Sequence, residues 1–372
     1  MGCVNRTNGH APRRGGVNLP DLRSHNTALV LDLLRTAGPD GVSRLELAER
    51  TGLTPQAVSK ITARLREEGL AAEAGRLAST GGKPRTVLRL VPGAGHAIGI
   101  HLDRDELRTV LVDLDGDVVR RSRVPLDLGA GAEAVVGAVE REALDAASAT
   151  AGTLLGAGVA LPGPLDHVDG VLRRITGFPE WDSFPLRDEL ERRLEMPVVV
   201  DKDTNAVALG LAVAGERGSF AYLHLGTGLG AGLVLDGTVH RGARTRAGEF
   251  GHQILQLGGP VCSCGNHGCV EALCMAAVER GDVADAALVL GAGAANLVGL
   301  LDIDRVLLGG RMVESAPQEY VRGVAAVLDA RALREGAGAG AVPVSIAPGG
   351  AWGVAEGAAQ LLLAPVFGWA QG

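Results

Sequence analysis

Four potential metal ligands lie within one short segment of the chain: His252, Cys262, Cys264 and Cys269. One imidazole and three thiolates form the ligand set of a closed tetrahedral zinc site. Four protein ligands leave no position for an activated water, so the expected zinc is structural rather than catalytic. Gly265 and Gly268 permit the tight turns that such a knuckle needs. A disulfide is the alternative, but crowding of three of the five cysteines into one loop favours metal.

The chain has 372 residues, of which 46% are hydrophobic, so two or three domains with large cores are expected. We recognise neither an apolar run long enough to span a bilayer nor an apolar signal core near the N-terminus. These features predict a cytoplasmic protein with no membrane partner.

The charges are distributed unevenly along the chain. Residues 1–90 contain 14 Lys and Arg against 8 Asp and Glu, whereas the whole chain carries a formal net charge of −7. A basic head on an acidic body indicates that the head alone contacts a polyanion. Residues 1–20 lack periodicity and are predicted to be a disordered basic arm, which either touches DNA or has no role.

Residues 21–91 carry the local signals of a winged helix-turn-helix. A first helix is predicted over residues 24–37, ending at a Gly-Pro pair. Ser43 and Thr54 are placed to cap the two helices that follow. The apolar positions predicted to be buried are Leu45, Leu47 and Ala48 in the second helix and Val58, Ile61 and Leu65 in the third.

The third helix and the segment after it supply the candidate DNA contacts. Two strand-like runs, residues 70–74 and 86–90, flank a glycine-rich basic stretch typical of a wing. The residues expected to face DNA are Thr54, Gln56, Ser59, Lys60, Arg64, Lys83 and Arg85. The alternative is a three-helix domain that contacts other proteins, but the excess of basic residues favours DNA binding.

Strand-like and helix-like segments alternate from residue 95 onward, which predicts an α/β fold. Several predicted strands end in Gly or Asp turns, the positions where α/β folds place ligand sites. We therefore expect a ligand-binding domain over residues 95–372.

The zinc segment also carries a longer motif, H-x9-C-x-C-G-x2-G-C-x-E, from His252 to Glu271. This motif and several others in the same order resemble those of the ROK family (repressor, open reading frame, kinase) over roughly residues 20–370. The resemblance is to the repressor branch with an N-terminal winged helix. It implies two actin-like, ribonuclease-H-like lobes, one at about 95–200 plus the C-terminal helix and one at about 201–350. A sugar would bind in the cleft, next to the structural zinc.

The resemblance implies a set of sugar-contacting residues: Gly163, Lys202, Asp203, Glu249, His252 and Glu271. Asp203 matches the general base of the family's kinases and is interpreted here as vestigial. His252 would place one ring nitrogen on zinc and direct the other towards the sugar.

Three departures from the kinase pattern bear on activity. Kinase members have Asp-x-Gly-Gly-Thr where this chain has residues 101–105, with Asp103 and Arg104 in place of both glycines. Side chains would block a close backbone approach and carboxylates would repel phosphates, so ATP binding is not expected. The glycine-rich residues 226–230 and Gly309-Gly310 are then interpreted as tight turns.

The second departure is Lys202, which stands where kinases have an Asn. Lys202 either pairs with Asp203 or Asp201, which we favour, or selects an acidic or phosphorylated sugar. Third, the segment over residues 271–281 is shorter than in the family, which affects the adenine-side wall and part of the dimer surface.

These features predict a sugar-responsive transcriptional repressor that binds operator DNA as a homodimer or homotetramer. A sugar or sugar derivative would bias lobe closure and thereby DNA binding. An ATP-dependent sugar kinase with a fused DNA-binding domain is one alternative. A ligand-blind DNA-binding protein that uses the kinase fold as a scaffold is the other.

Overall fold

The computed structural model describes residues 19–77, 85–173, 178–336 and 340–369. The chain divides into two compact units, Met1–Leu90 and Val91–Gly372. The predicted disordered arm falls almost wholly on residues 1–18, outside the described residues, as does Lys83. The first helix already includes the last two residues of that predicted arm.

The first unit is a three-helix domain with a small antiparallel sheet. Its helices and strands are α1 (Leu19–Thr36), β1 (Val42–Ser43), α2 (Arg44–Thr51), α3 (Pro55–Glu67), β2 (Ala71–Leu77) and β3 (Arg85–Leu90). The sheet order is β1-β3-β2. The side-chain oxygens of Ser43 and Thr54 accept hydrogen bonds from the N–H groups of Glu46 and Ala57, each at 3.2 Å, as expected for N-caps.

Two predicted core positions in this unit are wrong. Leu45 is exposed, and only Leu47 and Ala48 of the α2 set are buried. In α3 the buried residues are Val58, Thr62 and Leu65, because Thr62 takes the inward position that had been assigned to its neighbour Ile61. The Thr62 hydroxyl donates to the Val58 carbonyl at 2.9 Å, which lets a polar side chain occupy the core.

The second unit begins with a mixed sheet flanked by two helices. Its elements are β4 (Gly95–Leu102), β5 (Glu106–Asp113), β6 (Val118–Pro125), α4 (Ala132–Ala147), β7 (Thr153–Leu161), β8 (Leu165–Asp166), β9 (Val171–Leu172), α5 (Leu186–Leu194) and β10 (Val198–Lys202). The five-stranded sheet has the order β10-β7-β4-β5-β6, with β8 and β9 forming a separate hairpin. We call this sheet and its helices lobe 1.

The rest of the second unit builds another five-stranded sheet, with the order β13-β12-β11-β14-β15, which we call lobe 2 with its helices. The elements are α6 (Asp203–Val213), β11 (Phe220–Leu225), β12 (Leu229–Leu235), β13 (Thr238–Val239), α7 (Val270–Glu279), α8 (Val283–Leu301), β14 (Arg305–Gly309), α9 (Arg311–Ser315), α10 (Pro317–Glu335) and β15 (Val344–Ile346). The C-terminal helix α11 (Gly353–Val366) packs on β4 and β7 of lobe 1.

Two helices, α6 and α11, pack against each other and against the two sheets. Glycines make this packing close. A Cβ on Gly99 would lie 1.9 Å from the Ala355 carbonyl oxygen, and one on Gly357 would lie 2.2 Å from that of Ala206. The low aromatic content of 3% fits this packing, because small residues let backbones approach. The tight seam fixes the ends of β10 and α6, where the site lies.

Helix α8 corrects the prediction that no segment could span a membrane. It is long and apolar enough to do so by length and composition, with Asp285 as its charged residue. One such helix is weak evidence, because core helices of soluble proteins pass the same test. Here α8 contributes Ala287, Leu290 and Ala294 to the lobe 2 core, where it packs against α10.

Candidate functional site

A cavity of about 770 Å³, including its open mouth, lies where β10 runs into α6 and where the turns before β5 and β12 meet. All six residues predicted to contact a sugar line it. The remaining lining residues come from the turns before β5 and β12, the loop after β7, the start of α6, the end of β11 and the segment that leads into and contains the metal-ligand loop: Asp103, Arg104, Pro162, Pro164, Thr204, His224, Thr227, Gly228, Leu229, Gly230, Gly248 and Ser263. The structure therefore brings together residues from both lobes.

Asp203 is the first residue of α6 and borders the cavity. Burial is the main cause that raises the pKa of Asp203 to about 7, and the neighbouring carboxylates Asp103 and Glu249 contribute to this rise. A hydrogen bond from the Thr204 N–H, at 2.6 Å, opposes this shift. A carboxyl group with a pKa near neutrality can exchange a proton with a bound hydroxyl.

Lys202 forms an ion pair, as predicted, but the predicted aspartate partner was wrong. Its ammonium donates to Glu249 Oε1 at 3.2 Å and to the Ala247 carbonyl, and its side chain is only 4% exposed. Asp201, the other proposed partner, instead pairs with Arg241 at 2.7 Å in the interior. Sequence reasoning missed Arg241 because it lies far along the chain.

Gly163 lies directly against Lys202. A Cβ at Gly163 would lie 2.9 Å from Lys202 Cδ, so a larger residue there would displace the lysine stem. Gly163 thereby sets one boundary of the cavity beside the Lys202–Glu249 pair.

The ligand atoms of His252, Cys262, Cys264 and Cys269 all lie within 4.8 Å of one another. The sulfurs of Cys264 and Cys269 are 3.7 Å apart, as are Cys262 Sγ and His252 Nδ1. A disulfide requires about 2.05 Å, whereas the S···S edge of a tetrahedral site with Zn–S bonds of 2.3 Å is about 3.8 Å. This cluster can therefore bind a metal ion, and three sulfurs with one nitrogen suit zinc.

The loop that carries these ligands depends on Gly268. Its φ is +68°, and a Cβ there would lie 1.8 Å from the Gln256 carbonyl oxygen. No other residue fits at this position without moving the backbone, which explains the glycine between the second and third cysteine ligands.

Glu271 joins the metal-ligand loop to the cavity. Its Oε2 accepts from the Leu229 N–H at 2.8 Å, and its Oε1 accepts from the Ser263 hydroxyl at 3.2 Å. Because His252 directs Nδ1 towards the cluster while also lining the cavity, its other nitrogen is available to a ligand. A change in the metal cluster would therefore alter the cavity.

The sequence predicted that carboxylates at this place would repel phosphates. In the structure, Arg311 pairs with both Asp103 and Asp105. Its guanidinium pairs with Asp103 at 2.8 Å and with Asp105 at 2.7 Å. Thr227, from the turn between β11 and β12, also donates to Asp103 at 3.2 Å. We call these four residues the ion clamp. It joins lobe 1, which carries both aspartates, to lobe 2, which carries Arg311 and Thr227.

The ion clamp changes the chemistry of this region. Burial alone would raise the pKa of Asp103, but hydrogen bonds from the Arg104 N–H and Arg311 hold it below its ordinary value. Burial lowers the pKa of His101 to about 3, so this side chain is neutral near pH 7. A neutral imidazole and ion-paired carboxylates do not provide the backbone cradle that nucleotide phosphates require.

The candidate DNA interface lies in the first unit. Thr54, Gln56, Ser59 and Lys60 are exposed along the first turns of α3. The Thr54 hydroxyl is used as the helix cap, so it is less free for DNA than predicted. Arg64 is exposed but donates to Thr27 Oγ1 at 2.7 Å and lies 3.6 Å from Glu68. Arg85 begins β3, and its side chain lies outside the described residues.

The first unit contains a winged helix-turn-helix, and the second is a two-lobed α/β unit with a potential metal site beside its cavity. This combination defines a class of DNA-binding proteins built on a sugar-kinase fold. The sequence matches the ROK family over residues 97–282 and the winged helix-turn-helix DNA-binding family over residues 39–71. The chain belongs to the ROK family. This confirms the family and both parts of the predicted fold.

Several known proteins are similar to the chain. The xylose repressor of Caldicellulosiruptor bescii is 32% identical over 62% of this chain and 59% of its own length. The transcriptional dual regulator NagC of Escherichia coli is 30% identical over 74% and 68%. The chain thus spans about six tenths of the xylose repressor and about two thirds of NagC.

Solved structures agree on the fold. A ROK family transcriptional regulator described as a homologue of the Escherichia coli MLC protein superposes with a TM-score of 0.74 at 20% identity, covering 93% of this chain and 98% of that one. A ROK hexokinase from Thermus thermophilus gives 0.61 at 31% identity, covering 73% and 99%.

Proposed function

We propose that this protein is a transcriptional repressor that binds DNA through its winged helix and responds to a sugar bound in the cavity. The observation that carries the proposal is the cavity itself, where the six expected residues converge. Carboxylates, a lysine and an imidazole edge are suitable partners for sugar hydroxyls, and such a site rejects compounds that lack the matching group. The names of two relatives, a xylose repressor and an N-acetylglucosamine repressor, support it and differ in the sugar.

The metal cluster is proposed to bind one structural zinc ion. His252, Cys262, Cys264 and Cys269 would hold it, leaving no open position for catalysis. The ion would fix the loop that presents His252 and Ser263 to the cavity. A Cys264→Ser variant should therefore lose both zinc, measured by metal analysis, and sugar binding.

The exposed side chains of Gln56, Ser59 and Lys60 support base-edge and phosphate contacts by α3. A dimer or tetramer would place two winged helices on a pseudo-palindromic operator. The sugar would need different affinities for the DNA-bound and released states in order to act.

One observation favours a sugar kinase instead. Asp203 is half-buried, borders the cavity and has a pKa of about 7, which suits a general base. The ion clamp speaks against this alternative, since Asp103, Asp105 and Arg311 fill the region that ATP phosphates would need.

A single set of measurements separates these functions. Zinc-loaded full-length protein is mixed with DNA from its own promoter region, and mobility shifts are recorded with and without individual sugars. The repressor proposal requires DNA binding that at least one sugar changes. A coupled ADP-release assay on the same sugars tests the kinase, and turnover that disappears in Asp203→Asn would establish it.

DNA binding that no sugar or sugar phosphate affects, in protein that holds zinc, would favour the scaffold alternative. Thermal shifts with the same compounds distinguish absent binding from binding without coupling.

A further inference from the structure

The charged groups that line the cavity are mostly compensated by partners from the chain itself. Lys202 pairs with Glu249 at 3.2 Å. Asp103 is neutralised by Arg311 at 2.8 Å. Glu271 accepts two hydrogen bonds from the chain.

Arg104 is the exception. It lines the cavity, yet among the described residues its guanidinium has no ion pair or hydrogen-bond partner, and its Nε is buried without one. The guanidinium carbon lies 5.9 Å from the centre of the Phe178 ring, which supports the planar group from one side. Its backbone is fixed as well, because the Arg104 N–H donates to Asp103 and its carbonyl accepts from the Leu128 N–H.

A half-buried guanidinium without a partner is costly, and the cost is recovered when an anion occupies the site. The planar donor set of Arg suits the oxygens of a phosphate or a carboxylate in a two-pronged arrangement. The same cavity offers Glu249, His252 and Asp203 to hydroxyl groups. It therefore combines a cation suited to an anion with groups suited to a neutral polyol.

Building on the proposed function, we propose that the ligand is a monosaccharide that carries an anionic group, a phosphate ester or a carboxylate, and that Arg104 pairs with this group. Lys202, which the sequence had suggested for this task, is already committed to Glu249 and to the Ala247 carbonyl. The carboxylates around the cavity do not prevent anion binding, because Lys202 and Arg311 neutralise the two that lie nearest to them.

The test is isothermal titration calorimetry on the zinc-loaded full-length protein with matched ligands. Glucose is compared with glucose 6-phosphate and with glucuronate, and N-acetylglucosamine with its 6-phosphate. Inorganic phosphate alone reports binding of the anion without a sugar. We expect the anionic member of at least one pair to bind about tenfold to one hundredfold more tightly than its neutral counterpart, the range for charged hydrogen bonds. The phosphate and carboxylate arms identify which anion is recognised.

Two variants assign the preference to Arg104. Arg104→Met keeps a long apolar side chain over Phe178 but removes the charge, so the preference should fall to within about twofold while neutral-sugar affinity is retained. Arg104→Lys should restore part of it. The matched control is Arg121→Met, since Arg121 also lies over an aromatic ring, Trp352 at 5.3 Å, but outside the cavity; this change should leave the preference intact.

Neutral sugars that bind as tightly as their anionic partners in the wild type would overturn the inference and leave the proposed function standing. So would a preference that survives in Arg104→Met. Absence of binding by every sugar of either kind would overturn both the inference and the sugar-responsive function.

Discussion

Replacement of Arg311 by Met removes the cation of the ion clamp while keeping the aliphatic stem. Asp103, whose side chain is 9% exposed, would then be left as a buried carboxylate without its ion-pair partner. The folded protein must either keep this charge unpaired or protonate it, and both options cost free energy. The variant should therefore be less stable near neutral pH.

The expected loss in the free energy of unfolding depends on how deeply the Arg311–Asp103 and Arg311–Asp105 pairs are buried. Breaking a fully buried ion pair costs about 3–5 kcal/mol, and an exposed one about 0.2–1 kcal/mol. The Asp105 pair belongs to the exposed class, since that carboxylate is 59% exposed. The Asp103 pair is intermediate, because Arg311 itself is 35% exposed. Together they predict a loss of about 2–3 kcal/mol in the free energy of unfolding.

The dependence on pH provides a second measure. Arg311 holds the pKa of Asp105 below its ordinary value of 3.8, and it contributes, after His101 and the Arg104 N–H, to the lowered pKa of Asp103. Groups with depressed folded-state pKa values stabilise the fold above about pH 4 and lose this contribution as pH falls through those values. The difference between wild type and Arg311→Met should hence be full at pH 7 and shrink below pH 4.

Urea unfolding of zinc-loaded protein at several pH values measures both effects. The control is Arg305→Met, which breaks a less buried pair with Glu216, whose carboxylate is 27% exposed against 9% for Asp103. A loss in Arg311→Met no greater than in Arg305→Met, or one independent of pH, would refute the clamp as a stabilising link between the lobes.

Three further predictions concern the cavity, the metal-ligand loop and the DNA-binding face. Burial raises the pKa of Asp203 in the folded protein to about 7, so its ionisation destabilises the fold as pH rises from 4 to 8. Asp203→Asn should therefore be more stable than wild type at pH 8, by about 2–4 kcal/mol, and equally stable at pH 4. Urea unfolding at the two pH values measures this difference. Gly268→Ala forces a Cβ onto the Gln256 carbonyl and should lower zinc content and thermal stability. Lys60→Ala should weaken promoter binding in mobility shifts and reduce its salt dependence by about one ion, whereas Arg50→Ala, paired on α2, should not.

Local sequence signals predicted the first unit well. Ser43 and Thr54 act as helix caps because capping depends on residues only three positions apart. However, Thr62 rather than Ile61 is buried in the core, so local signals did not predict every core position. A hydroxyl can satisfy itself on the preceding helical turn, so polarity alone did not identify the exposed position.

The set of cavity-lining residues was also predictable, because it followed motifs whose order is written in the chain. Their partners were not. Lys202 was expected to pair with an adjacent aspartate, but the end of β10 directs its side chain to Glu249, while Asp201 turns inward to Arg241. Neighbours in sequence point to opposite faces of a strand, so adjacency is a poor guide to ion pairing there.

The sequence by itself determined the DNA-binding domain and the donor set of the potential metal site, since these depend on short-range spacing. The resemblance of its motifs to the ROK family implied the residues around the cavity. Only the tertiary structure decided the charge state of that cavity. Arg311 is some two hundred residues from Asp103 and Asp105, and their meeting depends on how α9 and the turn before β5 are brought together. Among the described residues, the same packing leaves the Arg104 guanidinium without an ion-pair or hydrogen-bond partner, because long-range contacts determine which charges are neutralised.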